Sequence, residues 1–106
     1  MFKIIVFVPE DAISRVKDAL FQAGAGNIGD YSHCCWQVLG KGQFLPGEHS
    51  QPAIGSRGNI CEVSEYRLET VCDGSCIKSA LTAMLDAHPY ETPAYEVLEI
   101  KSLEHF

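Results

Sequence analysis

Residues 61–91 read CEVSEYRLETVCDGSCIKSALTAMLDAHPYE, and the change of periodicity inside them decides the fold. Residues 61–71 alternate with a period of two, which is typical of a long β-strand with one face in water. Apolar side chains then recur at the i, i+3, i+4 and i+7 spacing of an amphipathic helix, namely Ile77, Ala80, Leu81 and Met84. We expect this helix to end near His88, because the residue before Pro89 is pushed out of helical backbone.

The rest of the chain predicts three more strands and one more helix. Residues 2–8 (FKIIVFV) are apolar at both positions of a period of two, so they predict a central strand covered on both sides. Residues 11–22 have helical spacing, and Gly24 can end that helix in left-handed backbone. Residues 31–39 predict the second strand and residues 93–100 the last one.

The predicted order is βαββαβ within a single domain of residues 1–106. This order favours the α+β class: a ferredoxin-like sandwich with a four-stranded antiparallel sheet and both helices on one face. The connection between the second and third strands, residues 40–60, is long, and residues 101–106 form a short tail. In this topology, residues 40–60 and residues 88–91 lie at the same pole.

The composition excludes several classes of partner. A formal net charge of −6 with scattered Lys and Arg repels phosphate backbones, so nucleic acid is disfavoured. No apolar run approaches the roughly 20 residues needed to span a bilayer, and residues 1–5 do not resemble a signal peptide. The odd count of five cysteines argues against a disulfide framework. We therefore expect a cytoplasmic chain with no membrane partner.

A candidate binding loop lies in residues 40–60, which hold five glycines and two prolines. Structureless loops of about 20 residues are uncommon in small domains and are usually binding or assembly elements, or disordered. The residues predicted to contact a ligand or a protein partner are Gly40, Gly42, Phe44, Pro46 and Gly55.

A candidate metal site lies at the turn HPYE, residues 88–91, where an imidazole and a carboxylate stand close together. His88 and Glu91 predict half of a divalent-metal site, such as one for zinc, or a general acid–base pair. The further ligands predicted for it are Glu62, Glu65 and Cys34. The alternative is structural: a histidine hydrogen-bonded at a helix C-terminus, with Tyr90 packed inward.

A glycine-rich motif follows the first predicted helix. The residues from Gly24 to Gly29 (GAGNIG) match the glycine pattern of a dinucleotide-binding loop. They follow a helix and precede a strand, which is the reverse of the context that such a loop requires. A tight helix-to-strand connection explains them better.

Several segments in order resemble one known family: residues 20–31 (LFQAGAGNIGDY), Cys34, residues 40–46 (GKGQFLP), residues 52–55 (PAIG), residues 62–69 (EVSEYRLE) and residues 88–91 (HPYE). Together they resemble the insertion domain of Nif-three-like (YqfO) proteins, a PII/CutA-like domain, and the resemblance covers residues 1–100. One departure is Thr92, where the family commonly has an acidic residue.

The resemblance implies a stand-alone version of that domain, without the flanking lobes that hold the two-metal site of longer relatives. It also implies a homo-oligomer, a trimer or a dimer, since PII/CutA-like proteins commonly pack their sheets around an axis. The leading hypothesis is a non-enzymatic binding or assembly module with a small-molecule or protein partner. The alternatives are a divalent-metal-binding protein using the His88–Glu91 turn, and an accessory domain of a metal-dependent hydrolase.

Overall fold

The computed structural model describes residues 1–106 and has the βαββαβ order expected from the sequence. The strands are β1 (Phe2–Pro9), β2 (Cys35–Phe44), β3 (Cys61–Cys72) and β4 (Tyr95–Glu99). The helices are α1 (Ile13–Gln22) and α2 (Ile77–Ala87), and short 3-10 turns cover Glu10–Ala12 and Leu103–His105. The predicted α+β class is confirmed. Neither helix has the length and hydropathy needed to cross a bilayer.

The four strands form one antiparallel sheet in the order β2-β3-β1-β4. β1 pairs with β3 from Phe2 opposite Cys72 to Pro9 opposite Glu65. β2 and β3 continue past that point, and their last pair joins Phe44 to Cys61. The β2–β3 ribbon therefore projects beyond the end of β1.

The core lies between the two helices and one face of the sheet, as predicted. Its largest members come from β1, β3 and both helices: Ile4, Val6, Val8, Val16, Leu20, Leu68 and Met84. Ala80 of α2 is fully buried, and its small side chain lets α2 lie close to the rest of the core. Burying such aliphatic side chains contributes roughly 1.5–3 kcal/mol each.

The opposite face of the sheet carries no helix, so within one chain the helices cover β1 on one side only. Ile5 is still only 4% exposed, because neighbouring side chains on the sheet surround it. Trp36, on the same face, is 59% exposed. This surface is called the open face below; the register places Lys3, Ile5, Phe7, Trp36, Val38, Arg67, Glu69, Val71 and Leu98 on it.

The second strand lies four to five residues later than predicted, at Cys35–Phe44 in place of residues 31–39. Tyr31 instead pairs with Ile28 through two backbone hydrogen bonds of 2.9 Å, closing a tight turn. His33 then takes left-handed backbone (φ 59°), which an extended strand does not contain. Because the strand runs to Phe44, the connection shortens from residues 40–60 to residues 45–60.

Both helix ends match the sequence-based expectation. Gly24 has φ 105° just after α1, a conformation that glycine adopts easily. His88 is extended (φ −74°, ψ 134°) directly after α2, as Pro89 requires. The backbone N–H of Gly26 donates to the carbonyl of Val71 at 2.7 Å, so the glycine turn lies at the end of β3, away from residues 88–91.

Candidate functional site

Residues 45–60 and the turn at residues 88–91 meet at one pole of the molecule, as the topology predicts. The backbone N–H of Gln51 donates to the Glu91 carboxylate at 3.0 Å. The rings of Phe44 and Tyr90 lie 6.1 Å apart between centroids, in a tilted arrangement. The predicted proximity of the loop and the turn is therefore confirmed.

His88 fixes this turn to the end of β1. It is 7% exposed, its Nε2 lies 2.7 Å from the carbonyl of Phe7, and its Nδ1 accepts from the backbone N–H of Tyr90 at 3.1 Å. Since a carbonyl only accepts and an amide N–H only donates, the proton is on Nε2 and Nδ1 is bare. Burial lowers the pKa of His88, and the nearby charge of Arg15 lowers it further. Both ring nitrogens are thus engaged by backbone.

Tyr90 and Glu65 form the second polar contact at this pole. The phenol of Tyr90 donates to the Glu65 carboxylate at 3.4 Å. Burial raises the pKa of Glu65 above its ordinary 4.5, although the Tyr90 bond opposes the change. Burial and the negative charge of Glu65 raise the pKa of Tyr90 to about 12, so the phenol keeps its proton.

A cavity of about 290 Å³ opens between the ribbon, the loop and the turn. Its walls are largely apolar, from Phe7, Phe44, Leu45, Pro46, Ile54 and Tyr90. Its two charged residues are Glu65 and Glu91, and no Lys, Arg or His lines it. Small-molecule sites commonly combine an apolar concavity with a few placed polar groups, which is the arrangement found here.

Gly42 makes room for the Glu65 carboxylate. A Cβ at Gly42 would collide with that carboxylate, so the side chain of Glu65 lies directly over the glycine backbone. Gly40, two residues earlier on β2, faces open space, with no atom within 4 Å of the place a Cβ would occupy. Of these two glycines, therefore, only Gly42 determines where the Glu65 carboxylate lies.

The predicted loop residues divide into two groups. Phe44 and Pro46 line the cavity, and Gly42 lies beneath Glu65. Gly55 (φ 83°) approaches Cys61 and supports the base of the loop without lining the cavity. Gly40 lies in β2, outside the cavity.

Other cavity residues were missed by sequence reasoning. Phe7 lines it from the end of β1, and Thr92 and Ala94 line it from the segment that joins the turn to β4. The strand topology carried the relevant signal, because it already placed the end of β1 and the start of β4 at this pole.

The predicted metal ligands do not form a cluster. Cys34 lies at the opposite pole, where its backbone N–H donates to Gly26 and its carbonyl accepts from Thr70. Glu62 is exposed beside Lys41, with 3.6 Å between carboxylate and ammonium. No group of three or more His, Cys, Asp or Glu side chains is placed to hold a metal ion. The expected convergence of all five residues is wrong, because Cys34 lies beside the glycine turn just before β2 and the Glu62 carboxylate pairs with Lys41.

Comparison with known proteins identifies related chains. No family model matches the chain. It is 45% identical over 98 residues to the GTP cyclohydrolase 1 type 2 homolog of Mycobacterium leprae, and 42% identical over 99 residues to that of Bacillus subtilis. These matches cover 92% and 93% of this chain but 26% of each relative. The chain thus spans about a quarter of the length of the curated relatives it matches.

Solved structures agree with this relationship. A Bacillus cereus protein related to NIF3 superposes with a TM-score of 0.81 at 40% identity, over 95% of this chain and 26% of that one. The PII-like protein CutA from Nostoc superposes with a TM-score of 0.69 at 16% identity, over 99% of this chain and 88% of that one. The second likeness shows the fold alone. The resemblance to one domain of Nif-three-like proteins and the PII/CutA-like fold are both confirmed.

Proposed function

We propose that this chain is a self-associating module that binds a small ligand in the cavity between the β2–β3 ribbon, the loop and the turn. The chain matches one domain of Nif-three-like proteins. The observation that carries the proposal is the open face of the sheet. Trp36, Val38 and Leu98 are 59%, 44% and 45% exposed there. Trp36 and Val38 lie on β2 and Leu98 on β4, the two edge strands, so exposed apolar side chains occur at both sides of one flat surface. Exposed apolar side chains on a flat surface are typical of protein interfaces.

The charges of the open face favour a second copy of this chain as its partner. Lys3 and Arg67 lie 3.9 Å and 3.6 Å from the Glu69 carboxylate, so Glu69 is flanked by both. The guanidinium of Arg67 also lies over the Phe7 ring, 5.9 Å from its centroid. Charges that are already paired cost less to cover than isolated ones, so the centre of this face can be buried against a copy of itself. Glu96 lies on the same face beside Ile5, is exposed and has no ion-pair partner, so it is expected at the rim of such a contact. The oligomer implied by the family resemblance fits the same surface.

Sedimentation equilibrium tests the assembly. We expect a mass that is a multiple of 11.7 kDa at micromolar concentration. Trp36→Glu introduces a charge on the open face and should give the monomer mass. Leu103→Glu is the matched control, because Leu103 is 88% exposed in the C-terminal turn, outside the open face. A wild-type chain that is monomeric throughout would refute self-association.

The cavity favours a small cationic ligand with an apolar body. Its charged groups are two carboxylates, and Glu65 has neither Lys nor Arg within ion-pair distance. A ligand ammonium beside Glu65 would supply the missing positive charge, while the rings of Phe44 and Tyr90 would cover its hydrocarbon part. The cyclohydrolase in the names of the longer relatives refers to proteins about four times as long as this chain.

Benzylamine and benzoate are matched probes for this site, since they share a ring and differ in charge. We expect benzylamine to shift the NMR signals of Tyr90 and Ala94, and benzoate to leave them unchanged. Glu65→Gln should abolish the benzylamine shifts. Equal binding of both probes, or benzylamine binding that survives Glu65→Gln, would contradict a cationic ligand.

Zinc titration by calorimetry separates this proposal from the divalent-metal alternative. Glu65 and Glu91 lie at one pole, but His88 has both nitrogens bonded to backbone, so a metal would have to break one of those bonds. We expect no zinc binding tighter than about 100 μM at neutral pH. Tight binding lost in Glu91→Gln would favour the metal over the amine.

A further inference from the structure

Two cysteine thiols meet at the pole opposite the cavity. Cys72 is the last residue of β3, and Cys76 directly precedes α2. Their sulfur atoms lie 3.4 Å apart, and both residues are free thiols. A turn closed by the Cys76 N–H donating to the Asp73 carbonyl at 3.1 Å brings them together.

The two thiols differ in accessibility. Cys72 is 2% exposed and belongs to the hydrophobic core, whereas Cys76 is half-buried. Burial and the neighbouring Cys76 raise the pKa of Cys72 to about 12. A reagent from solution therefore reaches Cys76 first, and Cys72 reacts only with a group already attached to Cys76.

The glycine turn leaves space for this pair. A Cβ on Gly24 would lie 3.2 Å from the Cys76 sulfur, which is a tight contact. The same sulfur has two weak contacts, each 3.7 Å, with the carbonyls of Gly24 and Asp73. Rotation of the Cys76 side chain toward Cys72 breaks these two contacts at little energetic cost, because sulfur forms only weak hydrogen bonds. An S–S bond of about 2.05 Å requires the sulfurs to approach by only about 1.4 Å.

We propose that Cys72 and Cys76 are a reversible dithiol–disulfide pair that exchanges with small-molecule disulfides through Cys76. In the first step the Cys76 thiolate attacks one sulfur of glutathione disulfide, forms a mixed disulfide and releases one glutathione thiolate. In the second step Cys72 attacks the Cys76 sulfur, the Cys76–glutathione bond breaks, and the second glutathione leaves. Two protein thiols are oxidised, one glutathione disulfide is reduced, and the leaving thiolates take up the two protons.

The proposed disulfide joins the end of β3 to the start of α2. It would restrain the β3–α2 connection beside the Gly24 turn, while the cavity lies at the other pole. Exchange at this pair is thus separable from ligand binding, and the cavity variants leave it intact.

The test is a glutathione redox titration of the native chain, followed by acid quench, alkylation and trypsin digestion. Trypsin cuts after Arg67 and Lys78, so residues 68–78 (LETVCDGSCIK) carry both thiols and no other cysteine. We expect this peptide to lose two hydrogen atoms and to resist alkylation after oxidation. The effective concentration of the two thiols should be at least about tenfold higher in the native chain than in the urea-unfolded chain.

Two single variants resolve the order of steps. Cys72→Ser should retain glutathione on residue 76 as a stable mixed disulfide, because the resolving thiol is absent. Cys76→Ser should leave Cys72 unmodified in the native chain, because Cys72 is buried. An effective concentration in the native wild type equal to or below that of the unfolded chain would overturn the proposal, as would native oxidation that stops at mixed disulfides.

Discussion

At the scale of single residues, the His88 side chain bonds to a backbone carbonyl of β1 that has no partner in a neighbouring strand. Phe7 donates its N–H to the carbonyl of Ala94 at 3.1 Å, but β4 offers no partner for the Phe7 carbonyl. The Nε2–H of His88 occupies that position, while Nδ1 receives the next free N–H from Tyr90. One side chain satisfies a donor and an acceptor that would otherwise be buried without partners.

His88→Ala should lower the free energy of unfolding by about 2 kcal/mol, since it leaves both backbone groups unpaired and opens a small cavity. Urea denaturation measures the loss. His49→Ala is the control, because His49 is exposed in the loop. Equal stability of the two variants would show that the backbone groups find other partners.

The same residue predicts a pH dependence. The pKa of His88 in the folded chain is lowered from its ordinary 6.5, so the unfolded chain binds this proton more tightly. The stabilising contribution of neutral His88 is complete above pH 6.5 and is lost as the pH falls through the folded pKa. Urea midpoints measured between pH 7 and pH 5 should decline in the wild type. The decline should be smaller in His88→Gln, and an unchanged slope would contradict the prediction.

Gly42 permits the unusual position of Glu65. Gly42→Ala should displace the carboxylate toward water, since the colliding atoms are at the flexible end of the side chain. We expect the pKa of Glu65 to fall toward its ordinary 4.5 and stability to change by less than about 1 kcal/mol. Carboxyl NMR titration measures the first effect. Gly40→Ala, with open space around it, should leave the Glu65 pKa unchanged.

At the scale of elements, the connection after α1 depends on Gly24. Its φ of 105° is strained for any side chain, and a Cβ would also crowd Cys76. Gly24→Ala should therefore cost about 2 kcal/mol of stability, as judged by thermal or urea unfolding. Gly47→Ala should be nearly neutral, because nothing lies within 4 Å of its added Cβ. A neutral Gly24→Ala would mean that the turn relaxes without penalty.

The order and type of the elements could be predicted from the sequence, because each carries its own periodicity. The alternation of residues 61–71 and the helical spacing from Ile77 to Met84 depend only on which face meets the core. The start of β2 could not be predicted in the same way. Tyr31 and Trp36 have similar strand propensity, and the Ile28–Tyr31 bridge that excludes Tyr31 is a tertiary detail of the turn.

The location of the candidate site could be predicted, but its chemistry could not. Topology brought the loop to the turn, and family resemblance marked both segments. The register of β2 against β3 pairs Glu65 with Gly40, but the Glu65 side chain extends over Gly42 to reach Tyr90, a side-chain detail that strand periodicity does not carry. The predicted metal ligands did not converge, because Cys34 lies beside the glycine turn, Glu62 pairs with Lys41, and both ring nitrogens of His88 are bonded to backbone.

At the scale of the whole molecule, self-association should make thermal stability depend on concentration. If the open face is buried only in the folded oligomer, mass action raises the melting temperature as the chain is concentrated. We expect an increase of a few degrees per tenfold concentration for the wild type and none for Trp36→Glu. The single tryptophan also lies on this face, so its emission should shift to the blue over the same range. Concentration-independent melting of the wild type would contradict assembly.

The strand order makes β2 an edge strand of the sheet. It is ten residues long, and its outer side has no partner strand. An exposed edge strand can pair with an extended segment of another chain, and repeated strand addition leads to fibrils. Lys41 places a positive charge within this edge strand. Gly40 and Gly42 lower the β-propensity of the strand. We therefore expect the glycine that accommodates Glu65 to oppose fibril growth as well, and Lys41→Val to remove part of that protection.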